Sequence, residues 1–224
     1  MNNNIKQTKL AIIGGGPGGY TAAFRAADLN IEVTLIDSSE KLGGVCLNEG
    51  CIPSKSLLHI ANIIDESKKA EHAGIKFKKP EINIKKIHNW KNDIIQNLNN
   101  GIEKLAETRK INIITGAAKF NSANQLQIID NQKKQIQLNF EYCIIATGSY
   151  PQIIPNLNKN HPNIINSTDA LNFKDIPERL LVIGGGYIGL ELGQVFSSLG
   201  TKVTIAEFLP SILSMADSDL ANIL

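Results

Sequence analysis

The chain has 224 residues, enough for one large domain or two modest ones whose core is not limited by size. A formal charge of +2 with no basic stripe excludes a dominant nucleic-acid or membrane-binding surface, and an apolar content of 42% is ordinary for a globular protein. No window reaches the run of about 18 apolar residues that a membrane span needs, and MNNNIKQTKL has neither an apolar h-region nor an Arg-rich transit pattern. The expectation is a cytoplasmic chain, in a reducing compartment where a structural disulfide is out of place.

The first element group, KLAIIGGGPGGYTAAFRAADLNIEVTLID from Lys9 to Asp37, reads as strand, glycine-rich turn, helix and strand. The opening apolar run is short and unbroken, as for a strand buried on both faces, and the second run is β-branched. Helical spacing follows from Cys51 to about Ala70, and KKAEHAGIKFKK, the densest basic run, reads as a solvated helix end. A second helix is predicted from about Ile84 to Arg109, with the NNG at 99–101 as a weak point. From Ile111 the period changes to that of strands: INIITGAAKF, QLQIID and QIQLNFEYCIIATG, with DNQKK as a turn. After a Pro- and Asn-rich linker, SYPQIIPNLNKNHPN, the stretch RLLVIGGGYIGLELGQVFSSLGTKVTIAE repeats the opening pattern.

Gly14, Gly16 and Gly19 form one G-x-G-x-x-G, and Gly184, Gly186 and Gly189 a second. The glycines of such a motif give a tight turn out of the strand, close backbone approach to a pyrophosphate, and close packing of helix on strand. The phosphates would sit at a helix N-terminus, where unpaired N–H groups and the dipole favour anions. A lone match is weak, but both follow a strand run, open a helix and are followed by an acid at the end of the next strand. Those acids, Asp37 and Glu207, each stand 23 positions after the first glycine, where a carboxylate can accept ribose hydroxyls. No Arg accompanies Glu207, so NAD is expected there rather than NADP. Two dinucleotides on one chain imply electron traffic between them.

The stretch GGVCLNEGCIPSK puts Cys46 and Cys51 five positions apart in a chain with three cysteines. On one regular helix such residues point about 140° apart and could not bond; Gly43, Gly44, Asn48 and Gly50 supply the irregular backbone that would let the sulfurs meet. Pro53 suits a first helical turn and places Cys51 near a helix start, where a thiol is the more ready to ionise. Closing so small a ring gains at best about 2 kcal/mol, so a reversible two-electron couple explains the pair better than a staple does. Zinc binding and two unrelated buried thiols are the alternatives, though no second Cys or His pair stands at ligand spacing. Cys143 lies in an apolar strand and reads as a packed core thiol. Lys55 is one helical turn past Cys51 on the same face, either a solvated lysine or a cation that tunes a redox ring.

These residues, with ATGS at 146–149 and STDALNFKDIPERLLVIGGGYIGLELG, resemble the pyridine nucleotide-disulfide oxidoreductases from about residue 8 to the last residue, and within them most closely the dihydrolipoyl dehydrogenase branch. The resemblance implies an α/β fold: a Rossmann-like FAD-binding domain with a redox-active disulfide over 1–150 (β-meander at about 111–148), a linker over 151–178, and the start of a Rossmann-like NAD-binding domain over 179–224. It implies that the first dinucleotide is FAD and the second NAD, that Cys46 exchanges with a lipoyl group, and that Cys51 lies against the flavin in a Cys46–Cys51 disulfide. It also implies Lys55 near flavin N5, with Glu191 close to that lysine, and FAD contacts at Ala118, Thr147 and Gly148. Tyr187 stands where related enzymes cap the nicotinamide pocket, or is a half-exposed packing aromatic. Ser54 favours the lipoyl branch, since glutathione reductase-like enzymes tend to carry Lys there.

The implied reaction is oxidation of dihydrolipoamide with NAD. The implied partners are the lipoyl domain of a 2-oxoacid dehydrogenase or glycine cleavage complex and, in the full-length form, a second copy in a homodimer. The 46 residues from Arg179 onward fall short of the roughly 100 of a complete domain, so an incomplete, inactive portion of the enzyme is expected. It would lack the His-Glu base and the dimer-interface domain. His59, His72, His88 and His161 read as surface or packing residues. The rivals are a mercuric or glutathione reductase-type enzyme, and a non-catalytic FAD-binding fragment.

Overall fold

A computed structural model describes residues 5–152, 154–155, 157 and 161–223, so part of the linker expected at 149–163 lies outside the described residues. In chain order the elements are β1 (Ile5–Ile13), α1 (Pro17–Asp28), β2 (Val33–Asp37), α2 (Gly44–Glu49), α3 (Cys51–Lys69), a 3₁₀ turn (Ala70–Ala73) and α4 (Ile84–Thr108). There follow β3 (Asn112–Ser122), β4 (Gln125–Asp130), β5 (Gln135–Ile145), α5 (Ser167–Ala170), β6 (Arg179–Ile183), α6 (Tyr187–Leu199), β7 (Lys202–Ala206) and α7 (Ser218–Ala221). They gather into two compact units: residues up to Glu49 with Ile94–Tyr150, and Gly50–Asp93 with the residues from Pro151 onward.

In the first unit β1 pairs in parallel with β2 on one side and β5 on the other, while β2 runs parallel to the start of β3. The antiparallel pairs β3–β4 and β4–β5 complete a closed ring of five strands. The expected meander is present, and its ends do more than expected: β3 pairs with β2 over Asn112–Thr115 and with β4 beyond, while β5 pairs with β4 near its start and with β1 from Gln137 to its end. Side-chain alternation sorts the two faces. Leu10, Ile12, Val33 and Leu35 pack outward with Ala23 and Ala26 of α1 and Ala106 of α4, and Ala11, Ile36, Ile114, Leu126, Ile128 and Leu138 fill the other face. Small residues on α1 let it lie close to the strands, and Pro17 at its start needs no hydrogen-bond acceptor.

In the second unit β6 and β7 form a two-stranded parallel sheet, and α6 joins them as the crossover. The core is a seam of Leu57, Ala61 and Ile64 from α3 against Leu192, Val195, Phe196 and Leu199 from α6, closed by Leu171 and Phe173. The NNG at 99–101 does not break α4, because a Cβ at Gly101 would meet only open space and Asn99 is buried with a hydrogen bond. The basic run does end a helix: α3 stops at Lys69, Gly74 turns at a positive φ, and Ile75–Pro80 is exposed and irregular. Among the described residues no helix is long and apolar enough to cross a membrane.

Candidate functional site

The two glycine turns are built alike. Gly14 N–H donates to Ile36 O at the end of the next strand (2.7 Å), and Gly184 N–H donates to Ala206 O (2.8 Å). A later loop answers each turn: Gly43 N–H donates to Gly15 O (2.8 Å) and Leu213 N–H to Gly185 O (2.9 Å). The first intrahelical bonds are Tyr20 N–H to Gly16 O and Leu190 N–H to Gly186 O, so the N–H groups just before Tyr20 and Leu190 are the orphans of a helix start. Close approach dictates three of the motif glycines, Gly14, Gly19 and Gly189, the last because its Cβ would come 2.4 Å from Gly184 O. A Cβ at Gly14 would come 2.0 Å from Ala146 O, and one at Gly19 would come 1.7 Å from Gly14 O. A Cβ at Gly186 would meet nothing within 4 Å among the described residues beyond its chain neighbours, and one at Gly16 would lie 3.7 Å from Gly44 Cα. Bare backbone, orphan N–H groups and a positive helix end facing open space suit an anionic pyrophosphate at both turns.

The acids take a part that the sequence did not indicate. Asp37 Oδ2 accepts from Gly15 N–H and Oδ1 from Ser39 N–H (2.7 Å). Glu207 Oε2 accepts from Gly185 N–H (2.6 Å) and Oε1 from Leu209 N–H (2.8 Å). The N–H groups of Leu209 and Gly185 hold the Glu207 carboxyl below the usual range. Each carboxylate thus braces its own glycine turn and keeps lone pairs for further donors. Thr147 N lies 3.2 Å from the Cβ position at Gly14, and Gly148 turns with φ +74°, so the segment after β5 abuts the first turn. Ala118 lies mid-ladder in β3 opposite Ile128, and Tyr187 is an exposed residue at the start of α6.

Both cysteines lie in helices, but not in one. Cys46 is in α2, Cys51 opens α3, and Gly50 separates the helices at φ −145° and ψ −106°. The expected irregularity is therefore confined to Gly50 and to Gly43–Gly44 before α2, whereas Asn48 is helical and serves as a hydrogen-bonding side chain. Cys51 is exposed at the N-terminus of a 19-residue helix. One turn on, Lys55 Nζ donates to both oxygens of Glu191, at 2.7 and 2.9 Å. Ser54 Oγ bonds the same carboxylate at 3.1 Å and lies 3.2 Å from Cys51 O. Three turns along α3, Asp65 Oδ2 accepts from Ser198 of α6 at 2.5 Å. Burial pushes the Asp65 carboxyl up, but its bonds with Ser198 and Lys68 together hold it below the ordinary value.

Cys143 packs beside the inner apolar cluster of the first unit, and burial pushes its thiol up, as suits an inert core cysteine. His59 stacks on Trp90 at 6.1 Å, His88 Nε2 is 2.7 Å from Phe173 O, and His72 and His161 are exposed. Ser54 in its Glu191 role, Asn48 and Asn99 are the site residues that sequence reasoning passed over. The nearest signal was the spacing of Ser54 and Asn48 to the cysteines, three positions after Cys51 and two after Cys46.

Comparison with known proteins agrees with this geometry. The chain is 49% identical over 217 residues to a dihydrolipoyl dehydrogenase of Buchnera aphidicola subsp. Schizaphis graminum, covering 97% of this chain and 45% of that protein. It is 42% identical over 218 residues to the dihydrolipoyl dehydrogenase of Geobacillus stearothermophilus, covering 97% and 46%. The chain thus spans about half the length of the curated relatives it matches. Among solved structures it is similar to the HOCl-induced flavoprotein disulfide reductase RclA of Escherichia coli, determined as a Cu(II) complex, with a TM-score of 0.81 at 30% identity over 99% of this chain and 46% of that one. With residues 8–224 matching its model, the chain belongs to the pyridine nucleotide-disulphide oxidoreductase family, whose cofactors are FAD and NAD.

Proposed function

We propose that this chain carries the cofactor turns and thiol pair of an enzyme that oxidises dihydrolipoamide with NAD. The dithiol substrate becomes a cyclic disulfide as a Cys46–Cys51 disulfide is reduced to two thiols. Return of the pair to the disulfide sends two electrons and one proton to NAD, giving NADH and a proton to solvent. FAD, when bound at the first glycine turn, supplies the two-electron relay between the thiols and NAD.

Gly14, Gly16, Gly19 and Asp37 would cradle FAD, with Ala118, Thr147 and Gly148 as further contacts. Gly184, Gly186, Gly189 and Glu207 hold NAD, with Tyr187 at the entrance to that site. Cys46 would be the thiol that exchanges with the substrate sulfur, and Cys51 the one that would hand electrons on to FAD. In functional terms residues 1–150 serve FAD, 151–178 link, and 179–224 begin the NAD site. The lipoyl domain of a 2-oxoacid dehydrogenase or glycine cleavage complex would present the substrate, and a homodimer is the expected assembly of the full-length form.

One observation carries the reading. Lys55, a turn from Cys51, is gripped by Glu191 of α6, the helix that starts at the second glycine turn. A thiol at a helix start is thereby tied through an ion pair to the helix that opens at the second glycine turn, which supports reading the two as parts of one redox site. A second reading, reduction of a disulfide or metal ion by NAD(P)H, rests on the likeness to RclA.

The test is a comparison of substrates on FAD-loaded protein. Reduction of NAD by dihydrolipoamide, faster than oxidation of NADPH by oxidised glutathione or mercuric ion, is expected; the reverse order favours the reductase, and protein that takes up no FAD overturns both. Among the described residues no histidine bonds a carboxylate. Turnover by these 224 residues is therefore expected about 10²- to 10⁴-fold below that of an enzyme with a placed base.

A further inference from the structure

The helix that carries Cys46 is six residues long, too short to hold itself in water. Gly43 before it and Gly44 at its first position have φ of +106° and +57°, a left-handed entry. Within its unit a relay of two amides ties it down. Asn48 Nδ2 donates to Leu42 O (3.2 Å) and Gly44 O (3.0 Å), closing the turn from which α2 springs. Asn48 Oδ1 accepts from Asn99 Nδ2 (3.0 Å), midway along α4.

Asn99 is an odd choice for its position. It is completely buried, and among the described residues its Oδ1 has no hydrogen-bond partner. An unmet buried acceptor costs stability, and a leucine would fill similar space without that cost. What a leucine cannot do is donate to Asn48.

We propose that Asn99 is a positioning residue for the Cys46–Cys51 couple: acting through Asn48, it holds the backbone of α2 so that the Cys46 thiol closes on Cys51 in preference to an external thiol. The inference rests on the reading of these two cysteines as a redox pair. In the oxidation concerned both thiols are oxidised, losing two electrons and two protons, and an external disulfide is reduced to two thiols. The equilibrium depends on the effective concentration of one sulfur at the other, which falls when α2 frays.

The experiment equilibrates the 224-residue protein with buffers of reduced and oxidised glutathione, alkylates what remains reduced, and reads each cysteine by mass spectrometry. Asn99→Leu is expected to lower the constant for the internal disulfide about tenfold, equivalent to about 30 mV, while leaving the denaturation midpoint at or above that of the wild type. Asn48→Ala should lower the constant by as much or more. In the double variant, Asn99→Leu should change nothing further, because its route through Asn48 is gone.

A packing role would instead shift the denaturation midpoint and add its effect in the Asn48→Ala background. That result, or an unchanged constant in Asn99→Leu, overturns the inference. If Asn99→Leu does not fold, Asn99→Ala poses the same question with a smaller side chain. Wild-type protein that forms only mixed disulfides with glutathione removes the couple itself and the inference with it, whereas failure in Asn99→Leu alone leaves the couple standing.

Discussion

A Cβ at Gly19 would lie 1.7 Å from Gly14 O, whereas one at Gly186 would meet nothing within 4 Å. Two glycines of the same repeated motif therefore differ: the first lets chain pass chain, and the second borders open space, where the proposed NAD would rest. Gly19→Ala should destabilise by about 3 kcal/mol or more, because the obstruction is backbone that cannot rotate away. Gly186→Ala should leave stability within about 0.5 kcal/mol of the parent and still weaken NADH binding, by placing a methyl where the pyrophosphate would rest. Urea denaturation and NADH titration of the two variants check both halves, and equal loss of stability would show that neither turn is shaped by a ligand. These glycines and their acids were legible in the sequence because strand, turn and helix follow one another within about 25 residues. Ser54 and Asn99 were not, because their partners stand 137 and 51 positions away and nothing local marks the meeting.

Among elements, α3 and α6 show how an apolar seam is kept in register. Their buried leucines, valine and phenylalanine slide easily, but Lys55 and Ser54 on Glu191 at one end and Asp65 on Ser198 at the other do not. The pattern of α3 and of the crossover was readable from helical spacing, and the length of α4 nearly so. The polar end-locks were not, since any exposed-looking serine fits a helix surface. Further along, Lys91 of α4 is buried and donates to Leu171 O (2.6 Å) and Asn172 Oδ1 (2.8 Å), the carbonyl end of α5. Burial lowers its pKa from 10.5, while the unfolded chain keeps the ordinary value. Between the lowered value and 10.5 the unfolded state binds the more protons, so stability rises with pH there, by at most about 1.4 kcal/mol per pH unit. Relative to Lys91→Met, which has no proton to lose, the wild type should gain stability across that window in denaturant titrations at stepped pH. A constant difference up to pH 10.5 would mean that the fold holds the ammonium as well as water does.

For the molecule as a whole, the repeated strand–turn–helix–strand unit was plain in the sequence, and the family followed from it together with the cysteine segment. The closing of five strands into a ring was not plain, nor was the grouping of Gly50–Asp93 with the residues beyond Pro151, because both depend on pairings between distant stretches. FAD that binds the folded first unit and not the unfolded chain should stabilise it by about 2.7 kcal/mol at a free concentration one hundred times its dissociation constant. Thermal melts with and without FAD measure this, and a melt indifferent to FAD would refute the fit of the first turn. The ring also bears on synthesis. Ala11 of the first strand pairs with Cys143 of the fifth, so on the ribosome the opening strand waits for about 130 further residues to be made, on the order of ten seconds at roughly 5–20 residues per second. Through that interval Leu57, Ala61 and Ile64 also lack their partners on α6. The nascent chain is thus a sticky, half-sorted intermediate until α6 has emerged, and a client for whatever holds such chains apart.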